Sequence, residues 1–231
     1  MDIDRPQSLV QKFFGNTARN YDKVVSYATF GNDTKWKQQL LREIKSGSSF
    51  LDLACGTGIL TRMIAQKFLD GHVTGVDIMQ GYIDVAKQNS TSFSNILYVH
   101  QDAEKLDLGR KFDCITSSYI PKYCDAEILV KACLKHLKPG GKIILHDFIY
   151  PNGTLVRWFW NAYFVVLPKI GNLVPNWKQT LIDLPKLIRE TNWLVDYESV
   201  MKKYGMITKV MFLTCNSVSY THLTLPTILL V

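Results

Sequence analysis

At 231 residues, 47% hydrophobic and 20% charged, the chain is long enough for one α/β domain with a cover, and its composition excludes a disordered or fibrous protein. Its formal charge of +7 allows attraction to anionic lipid or to nucleic acid, but the Lys and Arg are spread along the chain without a polybasic run, so the charge by itself selects neither. Five cysteines (Cys55, Cys114, Cys124, Cys133, Cys215) without C-x-x-C spacing exclude a disulfide frame and a zinc site, and point to reduced thiols in a cytoplasmic protein.

From the N-terminus, residues 1–24 read as a short amphipathic lead-in with Phe13, Phe14, Ala18, Tyr21 and Val24, ending at Tyr21-Asp22. Thr34 is placed to cap a helix carrying Trp36, Leu40, Leu41 and Ile44 on one face. Two helices within residues 1–46 therefore precede the sheet, as edge packing or as a lid. No apolar signal core stands at the N-terminus, and no run reaches the roughly 20 residues that a bilayer span needs.

Ser46-Gly47-Ser48 breaks the second helix, and Phe50, Leu51, Leu53 and Ala54 suit a central parallel strand covered on both faces. Gly56 and Gly58 follow, then a helix with Ile59, Leu60, Met63, Ile64 and Phe68 at helical spacing. A strand, a Gly-x-Gly turn and a helix make a nucleotide-binding corner. Thr61 stands where a dinucleotide fingerprint needs its third glycine, which disfavours a dehydrogenase. His72–Asp77 is a second strand ending in an acid, 19 residues beyond Gly58, where a carboxylate accepts ribose hydroxyls. A helix from Tyr82 to Gln88, a third strand Ile96–Gln101 and then Asp102-Ala103-Glu104 continue the pattern. A fourth strand, Phe112–Ser118, a helix through Ile128 and Leu137, the stop Lys138-Pro139-Gly140-Gly141 and a fifth strand, Lys142–Phe148, complete it. Alternating strands and helices imply parallel units with right-handed crossovers and a ligand at the carboxyl ends of the strands.

Thr154–Ile170 departs from this rhythm, with Trp158, Phe159, Trp160, Tyr163, Phe164, Val165, Val166 and Leu167. It reads either as a helix packed on the sheet or as an apolar wall for a hydrophobic substrate that touches the membrane interface. Lys178–Arg189 reads as a helix broken at Pro185, Asn192–Tyr204 as an amphipathic helix stopped by Gly205, and Ile207–Leu213 as a sixth strand. A seventh should pair antiparallel with it. That place is taken by Val218–Val231, which resembles translated adapter read-through and is set aside as a non-native tail. The fold class is thus α/β, a Rossmann-like doubly wound sheet of about seven mostly parallel strands with the last antiparallel. It forms one domain, residues 1–217, with a helical cover at about 151–190.

The run Asp52-x-Ala54-x-Gly56-x-Gly58 resembles the first motif of class I methyltransferases that use S-adenosylmethionine (AdoMet). From Phe14 to about Thr214 the chain is similar to the ubiquinone/menaquinone biosynthesis C-methyltransferase family. The resemblance is carried by Leu51–Gly58, Phe112–Ser118, Leu137–Gly141, Leu167–Val174 and Tyr21-Asp22 with Trp36. It implies AdoMet as cofactor, with contacts from Tyr21, Asp52, Ala54, Gly56, Thr57, Gly58, Asp77, Ile78, Asp102, Ala103 and Ser118. The family's pattern is departed from at Val25, Asp33, Ile120–Tyr123 and Asp147–Ile149, on the substrate side.

The expected reaction is methyl transfer to a ring carbon of a prenylated quinol such as demethylmenaquinol. A neighbouring hydroxyl must lose its proton, so a general base helps, and His146, Asp147 and Tyr119 are the candidates. No metal is expected. Another small hydrophobic acceptor, or a non-catalytic AdoMet-binding module, stays open, as does a homodimer. No nucleic acid is expected as partner.

Overall fold

The computed structural model describes residues 6–15, 17–170, 175–213 and 218–224. Five parallel strands form its centre in the order β3-β2-β1-β4-β5: β1 (Ser49–Leu53), β2 (His72–Asp77), β3 (Ile96–His100), β4 (Phe112–Ser118) and β5 (Leu137–Phe148). Beyond β5 the sheet continues through β7 (Val218–Thr224) to β6 (Ile207–Leu213). β7 is antiparallel to both of its neighbours. Strand order reverses at β1, which pairs β2 on one side and β4 on the other. That is the switch point where a crevice opens at the carboxyl ends.

The near-continuous apolar runs are explained by cover on both faces. On one face Leu51, Leu53, Ile115 and Leu145 pack with Leu129 and Cys133 of α6 (Ala126–His136), and with Trp193, Tyr197 and Met201 of α9 (Trp193–Lys203). On the other, Phe50, Val73, Cys114 and Ile144 meet Leu40 of α3 (Asn32–Glu43), and Leu60 and Ile64 of α4 (Ile59–Lys67). α5 (Gln80–Asn89) lies against β3 through Ile83 and Ala86.

Several expectations are corrected. Among the described residues three helices precede the sheet: α1 (Pro6–Phe14), α2 (Tyr21–Ala28) and α3. Tyr21 opens a helix where the sequence suggests an end. α3 begins two residues before Thr34, and its N-cap is Gly31 in the left-handed region (φ 72°), a conformation glycine adopts without strain. β5 starts at Leu137, so Lys138–Gly141 lies within the strand. The pairing with β4 jumps there from Phe112↔Leu137 to Cys114↔Lys142, an irregularity that absorbs the Pro-Gly-Gly. α8 (Lys178–Glu190) runs unbroken through Pro185. Its buried neighbours Leu181 and Ile188 hold the helix together where the proline removes one backbone donor. α7 (Thr154–Ile170) has the expected span.

The tail that its composition marks as foreign contributes backbone to the sheet. Val218 pairs with Phe148 and Leu213, and Thr224 with Lys142 and Ile207. Such pairing needs only backbone groups and β-prone residues, so it is compatible with either origin. Residues 225–231 and Cys215 lie outside the described residues.

Gly75 on β2 lies under Tyr98, whose hydroxyl is bonded to Ser90 (2.9 Å). A Cβ at 75 would sit 2.7 Å from the Tyr98 ring and 3.1 Å from Cys55 Sγ. Gly75→Ala is therefore expected to lower stability by about 1–3 kcal/mol through overpacking. Urea unfolding would show this as a lower midpoint with an unchanged slope, and an unchanged midpoint would contradict the packing described.

Candidate active site

The turn after β1 is held in an unusual backbone path. Ala54 (φ 50°), Gly56 (φ 56°) and Gly58 (φ 81°) are all left-handed. For Ala54 that conformation costs on the order of 1 kcal/mol, and such strain tends to be kept where a ligand is handled. Gly58 has a packing reason as well, since a Cβ there would collide with the Tyr98 hydroxyl. The path is fixed from outside. Cys55 N–H donates to Val76 O (3.0 Å), Gly56 N–H donates to Asp77 Oδ2 (2.8 Å), and Arg62 donates to Thr57 O (2.8 Å). Met79 N–H donates to the other Asp77 oxygen (2.8 Å). Asp77 thus spends one acceptor position per oxygen on backbone and keeps the others. The Thr57 hydroxyl donates to Asp22 Oδ1 (2.5 Å), clasping α2 to the loop.

Above the strand ends lies a cavity of about 330 Å³. One end is lined by Ala54, Gly56, Asp77, Ile78, Asp102, Ala103 and Ser118. Asp102 also caps the turn after β3 by accepting from Glu104 N–H (2.9 Å). The other end is aromatic and aliphatic, with Val25, Phe148, Trp160, Tyr163, Phe164 and Leu167 from α2, β5 and α7. Phe14 joins the walls: its ring lies 6.0–6.4 Å from those of Tyr21, Tyr82, Tyr123 and Trp177. Burial lifts the hydroxyl pKa values of Tyr21, Tyr82 and Tyr123 well above the ordinary phenol value, so these phenols stay neutral and serve as walls.

Not every expected residue faces this cavity. Asp52 is buried beneath the loop, where Thr61 and Thr116 hydroxyls donate to its two oxygens (2.7 and 2.9 Å). With Thr57, Lys37 and Tyr119 it lines a smaller cleft. Burial raises its pKa to about 6, although those hydroxyls and Lys37 oppose the rise. Gly58 lines neither space. Asp147 is wholly buried and committed: Lys122 Nζ donates to Oδ1 (2.6 Å) and Lys122 N–H to Oδ2 (3.2 Å). It is a structural anion, not a base facing the acceptor. Tyr119 reaches the cavity with left-handed backbone (φ 76°), but its hydroxyl donates to Asp33 Oδ1 (2.7 Å). Burial and Asp33 push its pKa well above 10, which removes it as a base at neutral pH. His146 is fully buried and does not line the cavity. Its Nδ1 lies 2.8 Å from Ser118 Oγ, and Nε2 has no hydrogen-bond partner among the described residues. Burial holds its pKa well below 6.5.

Two buried cations were not singled out by pattern. Lys37 pairs with Asp33 and lies over the Tyr119 ring. Asp33 and Lys37 are i,i+4 on the face of α3 that carries Leu40, and that spacing was the available signal. Lys122 lines the cavity while held by Asp147, and burial pushes its pKa down.

The donor set fits AdoMet. Carboxylates at the ends of β2 and β3 suit hydroxyl and amine donors, and the Asp33–Lys37 charge pair beside the small cleft suits a zwitterion. Among the described residues no group of three or more His, Cys, Asp or Glu is arranged to hold a metal.

Fold and site together define an AdoMet-dependent methyltransferase with a Rossmann-like sheet. The chain belongs to the ubiE/COQ5 methyltransferase family, which matches residues 2–224. It is 31% identical over 185 residues to the ubiquinone/menaquinone biosynthesis C-methyltransferase UbiE of Legionella pneumophila (strain Paris), covering 76% of this chain and 74% of that one. It is 27% identical over 179 residues to the demethylmenaquinone methyltransferase of Staphylococcus aureus (strain JH9), covering 74% and 73%. Among solved structures, the plantazolicin methyltransferase BpumL, in complex with a monoazolic desmethylPZN analog and S-adenosylhomocysteine, superposes with a TM-score of 0.63 at 14% identity, over 95% of this chain and 94% of that one. The N-methyltransferase NodS from Bradyrhizobium japonicum WM9, in complex with S-adenosyl-l-homocysteine, superposes at 0.58 with 16% identity, over 96% and 100%. These two likenesses show the fold.

Asp52 gives a pH prediction. Its folded pKa, about 6, lies above the ordinary carboxylate value, so the folded state holds the proton more tightly. The associated stability is fully present below about pH 4 and is lost as pH rises through 6, a change of roughly 2–3 kcal/mol. Asp52→Asn is expected to remove that part of the wild-type decline between pH 4 and 7. Urea unfolding of both proteins across this range checks it, and parallel pH profiles would contradict it.

Proposed function

We propose that the protein transfers the methyl group of AdoMet to a ring carbon of a prenylated quinol, with demethylmenaquinol as the first acceptor to try. The observation that carries this reading is the two-ended cavity: acids and a glycine loop at one end, apolar side chains from α2, β5 and α7 at the other. The names of the relatives support the acceptor class. The departures Val25, Ile120, Tyr123 and Phe148 all line the cavity. They favour, as a second reading, a different small hydrophobic acceptor.

In this assignment Asp77 and Ile78 hold the ribose, Asp102 and Ala103 the adenine, and Tyr21, Ala54, Gly56 and Thr57 the amino-acid end. Asp52 and Gly58 act on the loop from behind. AdoMet supplies an electrophilic methyl sulfonium, so the chain's main work is to align the acceptor and exclude water. Of the three groups expected as bases, only His146 keeps an acceptor route to the cavity, through Ser118. The Ser118 hydroxyl can take a hydrogen bond from an acceptor hydroxyl while donating its own to the unprotonated Nδ1 of neutral His146. The non-native origin of residues 218–231 is kept as a proposal, and sequencing the gene from genomic DNA tests it.

Asp77→Asn keeps the size of the side chain but sets an NH₂ group against one backbone donor. It is expected to weaken AdoMet binding by about tenfold or more, corresponding to roughly 1.5–3 kcal/mol for hydrogen bonds to a charged group. Because Asp77 also braces Gly56, circular dichroism must first show the variant folded. Unchanged affinity in calorimetry would contradict the ribose assignment.

The activity test uses methyl-labelled AdoMet with short-chain demethylmenaquinol. Label is expected in the quinone fraction. Binding of AdoMet without transfer would contradict the acceptor. Transfer to another apolar phenol in its place would favour the second reading, and no transfer to any acceptor would favour a non-catalytic module.

A further inference from the structure

α7 is apolar on two sides. Its inner face, with Trp160, Phe164 and Leu167, lines the cavity. Its outer stripe is Leu155, Trp158, Phe159, Val165 and Val166, at i, i+3, i+4, i+10 and i+11, with Ala162 between. These five side chains are each 51–69% exposed. A helix apolar nearly all round is expected to be covered on every side. Trp158 and Phe159 stand free beside each other, their rings 4.9 Å apart. The patch extends onto the neighbouring α2 end. Phe30 is 79% exposed and packs against Tyr163 of α7 (5.8 Å), with Tyr27 exposed nearby. Contiguous apolar surface of this kind marks an interaction site.

We propose that this outer stripe of α7, with Tyr27 and Phe30, docks the enzyme on the surface of an anionic lipid bilayer. Charge beside an apolar stripe selects this occupant. Residues 151–190 carry Arg157, Lys169, Lys178, Lys186 and Arg189 against Asp183 and Glu190, within a chain of net charge +7. Of these cations Lys169 is exposed on α7 itself, whereas Arg157 donates to Pro151 O and Arg189 to Asn161 Oδ1, and a helix with exposed Trp and Phe beside a cation suits the plane of an anionic headgroup layer. Among the described residues no helix is long and apolar enough to cross a membrane, so the contact is peripheral. The docked helix is also the cavity wall, so a hydrophobic acceptor reaches the site from the bilayer side without crossing water. This consequence rests on the hydrophobic-acceptor reading, whereas the docking face itself does not.

The test is co-sedimentation of the full chain with phosphatidylcholine vesicles, with and without phosphatidylglycerol, beside the outward-facing double variant Trp158→Ser/Phe159→Ser. The wild type is expected to sediment with the anionic vesicles and less with the neutral ones. The variant is expected to lose about tenfold or more of that affinity, since two large apolar side chains no longer insert. Its calorimetric affinity for S-adenosylhomocysteine should match the wild type, which shows that it is folded. Wild type left in the supernatant, or a variant that sediments equally, would overturn the proposal. So would a wild-type dimer on gel filtration that the variant splits, because the stripe would then belong to a second copy. Vesicle binding without methyl transfer to any quinol would uphold the face and overturn the acceptor, and transfer without vesicle binding would do the reverse.

Discussion

The carboxylate of Asp77 is the joint on which the site depends. It closes the gap between the end of β2 and the loop after β1 by accepting from Gly56 N–H and Met79 N–H. Both strands are central and buried, so the joint is anchored in the stiffest part of the molecule. Burial raises the Asp77 pKa, and the backbone donors oppose that rise. A carboxylate held this way keeps a fixed direction toward the cavity, which is what the ribose contact proposed for it needs. Loop strain at Ala54 is tolerated because the surrounding bonds leave the backbone no alternative.

A second constraint holds the apolar end of the cavity together. At the apolar end the sheet contributes Phe148, and the rest of the wall is imported from α1, α2, α7 and α8, which meet around Phe14. Thr180 on α8 donates to Phe13 O (3.0 Å), and Trp177 donates to Asn20 Oδ1 (3.1 Å). Through Thr57–Asp22 the same assembly touches the glycine loop. The glycine-loop end and the apolar end of the cavity are thereby joined through α2.

The strand–glycine–helix corner was legible because it is local. Leu51 to Gly58 states its own geometry, and the acids ending β2 and following β3 sit at spacings set by the βα units. What could not be read was whatever depends on tertiary partners. Asp147 looked like a base because it ends a strand at the crevice, yet Lys122, which no local pattern ties to it, consumes both of its oxygens. His146 was a candidate for the same reason, but it is fully buried, with Trp36 and Tyr119 packed against its ring and Ser118 Oγ at its Nδ1. Lys37 was hidden because a lysine on an amphipathic helix is ordinarily solvated, and only the fold turns it inward beside Asp33. Pro185 suggested a break that packing overrides. The unbroken span of α7 was plain from its composition, whereas its two-sided use required the cavity to be seen.

The placement proposed here sets the cofactor across the β1, β2 and β3 ends, with the acceptor between it and α7. Amide hydrogen exchange with and without S-adenosylhomocysteine tests this placement most directly. Slowed exchange is expected in residues 54–58, 77–79 and 102–104, with the outer turns of α7 unaffected. Protection confined to α7 and α8, or none in the glycine loop, would contradict it.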